Sequence, residues 1–573
     1  MLKELHKIPT RFPKTVLTLI LLVTAVALFM MGRLRWETDA RVYFPKDHPA
    51  IAFDEMVADV FHVSNSIIIA IVNDNGIFNP ETLARIARIT DAVAKLPGVL
   101  AERKVDVASL STASAFLSRG DALENIPLMP SSTPGTDEIA QMKQLVYDNP
   151  DLFVGNLVSE DGKATMIRIK LKEGIQNRYQ SYFQVRGILM QELHGGGGAG
   201  AGSGQGDWQK WQGGGSDGKK ADGDKTGDAG AAKPGGWQGG SGGWSSWNQS
   251  LITQTAANGD RFFMAGRPVI EVTSGQNALA DLSVMIPLLI LTILVVLFLL
   301  FRNLRGALLP LGVVAITVIW TMGLMAAVNV PMYTISTMQP VILVAVGIGC
   351  ALHIISHYQD LVVVDPQRDR SEMIDQVMDE LALPLFITTV TTAVGFLSLW
   401  WAEMPPFRIF GLFTAIGVGF CWLVSIMFVP AALALLRPHV GGYLARRRSM
   451  RVHTESSFLA RILVGMASGL MAHRKLATVI VVAVIAGVGL GAKRLYVDSS
   501  WISDFKQDSE VVVSNTELNK EFDGTIFLNV VIDGVYADAL KSPELLGHIT
   551  NLVRYTEGLQ YVGGSVSLLD FIK

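Results

Sequence analysis

The stretch Val341 to Tyr358 reads VILVAVGIGCALHIISHY, a run long and apolar enough to cross a bilayer that nevertheless carries two histidines and several small residues. At helical spacing Gly349, His353 and His357 fall at i, i+4 and i+8, with Val346, Cys350 and Ser356 beside them, so small and polar groups share one stripe. Val344, Ile348, Leu352 and Ile355 make the opposite, apolar stripe. The expectation is that the apolar stripe meets lipid or a neighbouring helix while the other turns imidazole into a helix bundle, where ionisable groups are costly and mark an ion or substrate path. Unperturbed imidazole titrates near pH ~6.5, so His353 is the candidate for a group that gains and loses a proton across a physiological gradient. A neutral histidine bonded to a neighbouring helix is the competing reading. His357, a turn further on, is read first as interfacial and second as a relay partner of His353.

A second polar face lies in the next apolar run, where Thr388, Thr391, Thr392 and Gly395 fall at i, i+3, i+4 and i+7. Hydroxyls there could hold a water file or orient His353, but small residues also let helices pack closely, and packing is the favoured reading. Gly347, Gly411 and Gly417 receive the same packing reading. Asp281, Glu403 and Asp360 sit at the ends of apolar runs and read as boundary charges.

These elements sit in a chain of 573 residues with 50% hydrophobic and only 17% charged residues, too apolar for an ordinary soluble protein and too long for one domain. The formal charge of -3 gives no reason to expect a nucleic-acid partner. Cys350 and Cys421 are the two cysteines and both lie in apolar runs, which excludes a disulfide framework and a cysteine zinc site. Seven apolar runs of spanning length are expected, at about 15–31, 284–301, 307–328, 338–358, 383–401, 408–436 and 476–493. The first, preceded by Lys3, Lys7, Arg11 and Lys14 and without a clear cleavage site, reads as a retained signal anchor.

Alternation of the runs puts the N-terminal cluster, Arg302 and Arg305, and the basic segment 437–475 on one side, which the positive-inside rule makes the cytoplasm. The organisation is then a cytoplasmic N-terminus and first span (1–36), an extracytoplasmic domain (37–281), five spans (282–436), a basic linker (437–475), the seventh span (476–493) and a second outer segment (494–573). Between Leu361 and Leu383, Met373, Ile374, Val377 and Leu381 recur at helical spacing among charges, which reads as a helix on the inner membrane surface.

In the first outer segment the pattern predicts helices at Ile51–Phe61, Asn79–Leu96 and Gln176–Glu192. Strands are expected at Ser66–Val72 and Val99–Val107, with a hairpin from Phe153–Leu157 to Ala164–Leu171. Strands separated by helices indicate α/β or α+β subdomains. His194 to Asn248 is dominated by Gly, Ser and Asp with Trp208, Trp211, Trp237, Trp244 and Trp247, and reads as a disordered insertion (194–248), a passive linker first and a contact of its tryptophans with membrane or a partner second. The stretch after the seventh span repeats the layout after the first: a short aspartate-bearing lead, a helix, a β-branched strand and another helix, here Ser542 to Glu557.

With these motifs in order the chain resembles the resistance-nodulation-division (RND) superfamily of exporters, and within it the MMPL and hopanoid-exporter branch, whose membrane core is shared with sterol-sensing proteins. The resemblance rests on FRNLRGALLP from Phe301, IWTMGLM from Ile319, GIGCALHIISHY from Gly347, TTVTTAVGFLSL from Thr388, PPFRIFGLFTAIG from Pro405 and VPAALALL from Val429. It implies an α-helical polytopic membrane protein with α+β, ferredoxin-like βαβ porter domains outside the membrane. The expected fold is the first RND half plus the start of the second, so the chain reads as a fragment or as one needing a second-half subunit or another copy of itself. The resemblance further implies proton-driven export of lipids or other hydrophobic compounds at the cell (inner) membrane, with no cofactor.

The chain departs from that family where relatives carry an Asp-Tyr pair: alignment on His353 puts Gly349 and Cys350 there, and no acid lies between Val341 and Tyr358. No Walker A, H-E-x-x-H or G-x-S-x-G pattern occurs, so neither ATP drive nor an enzyme of those hydrolase classes is expected. The alternative is a lipid or sterol-sensing-like receptor, or a SecDF-like accessory protein, without net transport. On the exporter reading, His353→Ala abolishes export and leaves membrane insertion intact.

Overall fold

The computed structural model describes residues 7–45, 48–61, 65–119, 122–172, 174–194, 250–301, 304–365, 367–436, 458–496 and parts of 502–569. The Gly-rich stretch with its tryptophans, the arginines of 437–457 and most of the second-copy strand near 525–529 lie outside the described residues. In chain order the main helices are α1 (Pro13–Met31), α2 (Pro49–Phe61), α3 (Pro80–Ala94), α4 (Thr136–Asp148), α5 (Ile175–Leu193), α6 (Arg267–Phe301), α7 (Leu304–Ala327), α8 (Gln339–Val364), α9 (Arg370–Leu397), α10 (Pro405–Leu435), α11 (Phe458–Ala472), α12 (Arg474–Ala492), α13 (Glu510–Glu521) and α14 (Pro543–Glu557). The strands are β1 (Trp36–Glu37), β2 (Ser66–Val72), β3 (Val107–Ala108), β4 (Ser114–Arg119), β5 (Ala122–Pro127), β6 (Ala164–Lys170), β7 (Arg261–Ala265) and β8 (Met332–Tyr333).

Two compact units emerge, residues 38–277 with 501–573, and residues 1–37 with 278–500. In the first, β2 is a run of β-branched residues that pairs antiparallel with β6 over its whole length, Ser66 facing Lys170 and Val72 facing Ala164. Its other edge pairs antiparallel with β7, and β6 in turn pairs with β3, giving the order β3-β6-β2-β7. With α3 following β2 and α5 following β6, the connectivity is βαββαβ and the outer strands are second and fourth in sequence. That is the ferredoxin-like topology.

One sheet face packs Ile67, Ile69, Ile71 and Ile167 against Leu83, Ile86 and Ile89 of α3 and Val185 and Leu189 of α5. The other face carries Ile68, Ala70, Met166 and Phe263 and is covered by Leu518 and Phe522 at the end of α13, so the lead of the second copy completes the core of the first. Glu510 fixes that helix: it pairs with Arg186 of α5 and accepts hydrogen bonds from the Ser250 hydroxyl and the Leu251 amide, both at 3.2 Å. Asp260, fully buried at the start of β7, accepts from Asn73 (2.7 Å), Thr82 (2.8 Å) and Arg85, which ties the sheet edge to α3.

Of the elements read from the pattern, β2, α3, α5 and α14 stand where expected. The strand read at Val99–Val107 reduces to a bridge at Val99 and the short β3, because Lys104–Asp106 winds into a 3-10 turn capped by the Asp106 carboxylate on the Arg103 amide. The expected hairpin partner Phe153–Leu157 is not a strand; a short helix ends at Phe153, and only isolated bridges at Val154 and Val158 follow. The β4–β5 hairpin, α4 and β7 were not anticipated.

In the second unit seven helices are long and apolar enough to cross a membrane: α1, α6, α7, the α8 segment from Thr334, α9 with the turn after it, α10 and α12. The chain is thus a helical polytopic membrane protein with α+β domains. The stretch between Leu361 and Leu383 does not form a separate surface helix. From Arg370 it is the opening of α9, which continues through Pro384 to Leu397. Met373, Ile374, Val377 and Met378 are buried in one cluster with Tyr358 and Val362 of α8, so the apolar stripe read as lipid-facing meets a neighbouring helix instead. α6 likewise starts well before the apolar run, at Arg267.

A charge cluster joins the start of the first unit to α5 and α6. Asp39 accepts from the Arg41 amide (2.8 Å) and from the guanidiniums of Arg178 (2.8 Å) and Arg267 (2.7 Å), while Glu271 accepts from Arg267 (2.8 Å). Burial pushes the Asp39 carboxyl up, but the hydrogen bonds from Arg41 and Arg178 overcome it and hold the group well below the usual carboxylate range. A depressed folded-state value means that this contribution is present above the ordinary carboxylate pKa and is lost as pH falls below it. Thermal unfolding of the first unit should therefore shift to lower temperature below about pH 4. Asp39→Ala should lower stability at neutral pH by about 3–5 kcal/mol, because Arg178 is left buried and under-compensated, and should flatten the acid dependence.

Candidate functional site

The chemistry-bearing residues of the membrane unit meet where α7, α8 and α10 pack on one another. On α8 the buried positions include Gln339, Leu343, Gly347, Cys350, Ile354 and Tyr358, a stripe at three- and four-residue steps. Close approach depends on glycine: a Cβ at Gly347 would stand 3.0 Å from Val314 of α7 and 3.2 Å from the Cys421 sulfur of α10. A Cβ at Gly417 would meet Leu343 at 2.7 Å and the Thr321 hydroxyl at 2.8 Å, and one at Gly411 would meet the Phe396 carbonyl at 2.5 Å. These three glycines hold helices together, as their small size suggests.

At the centre the free thiols of Cys350 and Cys421 lie within hydrogen-bonding reach of each other. The Thr389 hydroxyl stands beside the first, and those of Thr317 and Ser425 beside the second. Thr317, Thr321 and Thr389 each donate to the carbonyl one turn back in their own helix at 2.8 Å, which leaves their oxygens free to accept.

This arrangement corrects the reading of α8. Gly349 and His353 were placed on the face turned into the bundle, but His353 is exposed and a Cβ at Gly349 would meet nothing within 4 Å. The buried stripe is the neighbouring one, and it takes in Val344 and Ile355 from the face assigned to lipid. Small residues occupy both stripes, so composition could not choose between them; the glycine contacts to α7 and α10 do. Of the expected face only Cys350 turns inward, together with Gly347, while Ser356 is half-buried.

A parallel one-residue offset affects α9. Thr388 and Thr391 are exposed and bond their own helix, at 3.0 Å to the Pro384 carbonyl and 2.9 Å to the Thr388 carbonyl. Thr392 is half-buried and also bonds the Thr388 carbonyl, and Gly395 is open. The threonine that reaches the core is Thr389, between them.

His357 is half-exposed, and its Nε2 lies 2.7 Å from a Glu380 oxygen of α9. Gln376 donates to the other Glu380 oxygen at 2.9 Å. This pair is separate from His353 in kind, since it is a partly solvated ion pair when the ring is protonated. Glu380 was missed because it lay in the segment assigned to the membrane surface. Thr10, near the start of α1, donates to Asp375 at 3.0 Å, and Trp320 donates to Thr24 at 2.9 Å, so α1 is tied to α9 and α7 by polar bonds. No group of three or more metal-ligating side chains occurs among the described residues.

Residues 249–458 match the MMPL family, a segment that takes in the whole of α6 to α10. In that segment the chain is similar to the MMPL family, in keeping with a helical membrane bundle of the RND/MMPL kind. Over 152 residues it is also 30% identical to MJ1562 of Methanocaldococcus jannaschii, a protein described as a membrane protein; the match covers 26% of this chain and 38% of that one. The chain thus aligns with well under half of that relative's length.

Paired glycine substitutions test the assignment of the buried face. Gly347→Leu must push α8 from α7 and α10 and should cost about 1–3 kcal/mol in thermal unfolding of the detergent-solubilised protein. Gly349→Leu, with open space at its Cβ, should stay within about 0.5 kcal/mol of the unaltered chain.

Proposed function

We propose that this MMPL-domain chain is a secondary transporter that uses a hydrogen-ion gradient to export lipids or other hydrophobic compounds. The observation that carries the reading is the coincidence of the MMPL match with a bundle that pairs an apolar exterior with a buried polar interior. A bilayer-embedded carrier needs both. α1, α6 and α12 present long rows of exposed apolar side chains suited to lipid, and among the described residues the buried polar groups gather where α7, α8 and α10 meet, with Thr389 of α9 beside them. The ferredoxin-like outer domain would supply the conduit by which a hydrophobic compound leaves the membrane.

On this reading the basic N-terminal cluster marks the cytoplasmic side and the ferredoxin-like domain stands outside the inner membrane. An imidazole on the outer face of a span is costly against hydrocarbon. That favours a further helix, from a second copy of the chain or a companion subunit, packing over Gly349 and His353. The chemistry proposed is transport, without covalent change to the cargo.

Flux of a fluorescent phospholipid in vesicles reconstituted with the full chain should rise when a proton gradient is imposed and return to the level of protein-free vesicles when a protonophore is added. Saturable lipid binding with no gradient-dependent flux would overturn transport and leave a lipid sensor.

A further inference from the structure

The helices that open the two copies of the α+β design, α2 and α13, are built alike. His48, Val57 and Phe61 stand at one constant spacing from Ser509, Leu518 and Phe522. Their N-termini agree as well: the His48 imidazole accepts from the Ala50 amide at 3.2 Å, and the Ser509 hydroxyl accepts from the Val512 amide at 3.4 Å. Within four residues of each helix comes an apolar stretch rich in β-branched residues, SIIIAIV from Ser66 and IFLNVVI from Ile526.

Their surroundings differ. α13 turns Leu518 and Phe522 onto β2, β6 and β7 of the first copy, while Leu528 and Val530, in the stretch that follows it, are 87% and 57% exposed. α2 finds that place taken. The opposite face of the same sheet is covered by α3 and α5, so both faces of its own copy's sheet are closed to it. Phe53 and Met56, one turn apart on α2, are accordingly 45% and 42% exposed, with Val57 buried beside them. Asp54, Glu55 and Asp59 make the rest of the helix polar, so the exposed apolar side chains form one face.

The repeat names what that face fits. A sheet of this design has two faces; in the first copy α3 takes one and α13 the other. In the second copy α14 follows the strand stretch as α3 follows β2, which leaves the second face for a lead helix. Another copy of the chain offers no open sheet of the first kind, because its own α13 closes it.

We infer that α2 is the seal of the second copy's sheet, docking Phe53, Met56 and Val57 on the strand stretch 525–532 of the same chain. The two subdomains thereby exchange lead helices, and each is closed by a helix that belongs to the other. Burial of apolar surface drives both contacts, and neither needs a bound ligand or a charge.

Hydrogen–deuterium exchange on the full chain in nanodiscs tests the exchange of helices. Amides of 525–532 should be protected, and Phe53→Asp should abolish that protection while β2 and β6 keep theirs. Leu518→Asp should instead open β2 and β6. Absence of protection over 525–532 in the unaltered chain, or protection indifferent to Phe53→Asp, overturns the proposal.

Cross-linking gives a second readout that does not depend on a disruptive variant. Met56→Cys/Val530→Cys treated with a short bismaleimide should yield a linked peptide within one chain, with the two single variants marking the background from Cys350 and Cys421. Glu55→Cys/Val530→Cys, with its first cysteine on the opposite side of α2, should yield far less. A link found only between two chains would assign the face to a second copy and overturn the proposal, as would no link or an equal link from the Glu55 position.

Discussion

Hydrocarbon satisfies no hydrogen bond, and the membrane unit is built around that constraint. Its polar side chains lie at the junction of α7, α8 and α10, where glycine lets the helix backbones approach. Gly347 and Gly417 matter because a larger side chain at either would part the helices and open hydroxyls to lipid. Gly323 does the same for α1, where a Cβ would meet the Ala27 carbonyl at 2.6 Å. Close packing and interior polarity are thus one property of the bundle. Threonines that bond their own helix carry hydroxyls inward without demanding a partner on the next helix.

The α+β unit solves the burial of polar groups with charge. Asp39, Arg178 and Glu271 are all nearly inaccessible, and each is matched by an opposite charge at hydrogen-bonding or ion-pair distance. Asp260 with Arg85, and Glu510 with Arg186, repeat the device at two other seams. Pairs of this kind add little net stability over apolar packing, but removing one partner is severe, so they hold orientation rather than bulk. In the bundle core, neutral hydroxyls, an amide and thiols take the place of such pairs. Ion pairs at the ends of its helices, such as His357 with Glu380 and Arg368 with Glu372, are partly solvated.

Much of the architecture could be read from the residues alone. SIIIAIV reads as a strand, which the structure buries on both faces, and Asn79-Pro80 announces a helix that the structure caps through the Asn79 side chain on the Thr82 amide at 2.8 Å. The apolar runs located the spans because length and composition suffice for that. What escaped was rotation about the helix axis. His353 and Cys350 differ by three residues and Thr388 and Thr389 by one, and which of each pair turns inward is settled by glycine contacts from other helices. Strand β7 was missed because it is only five residues long and RFFMA carries no alternation of its own. The polar residues of the core went unnoticed for a related reason: single threonines and serines in apolar runs look incidental until several helices are superposed in space.

α13 has a consequence for how the chain is made. The sheet of the first outer subdomain carries one apolar face, Ile68, Ala70, Met166 and Phe263, that is sealed by Leu518 and Phe522. Those residues leave the ribosome only after α6 to α12 have been synthesised, at about 5–20 residues per second. Until then that face is a sticky, half-finished surface outside the bilayer. Completion of that core therefore waits on synthesis of α6 to α12, and a pause between the two would leave the apolar face open to aggregation.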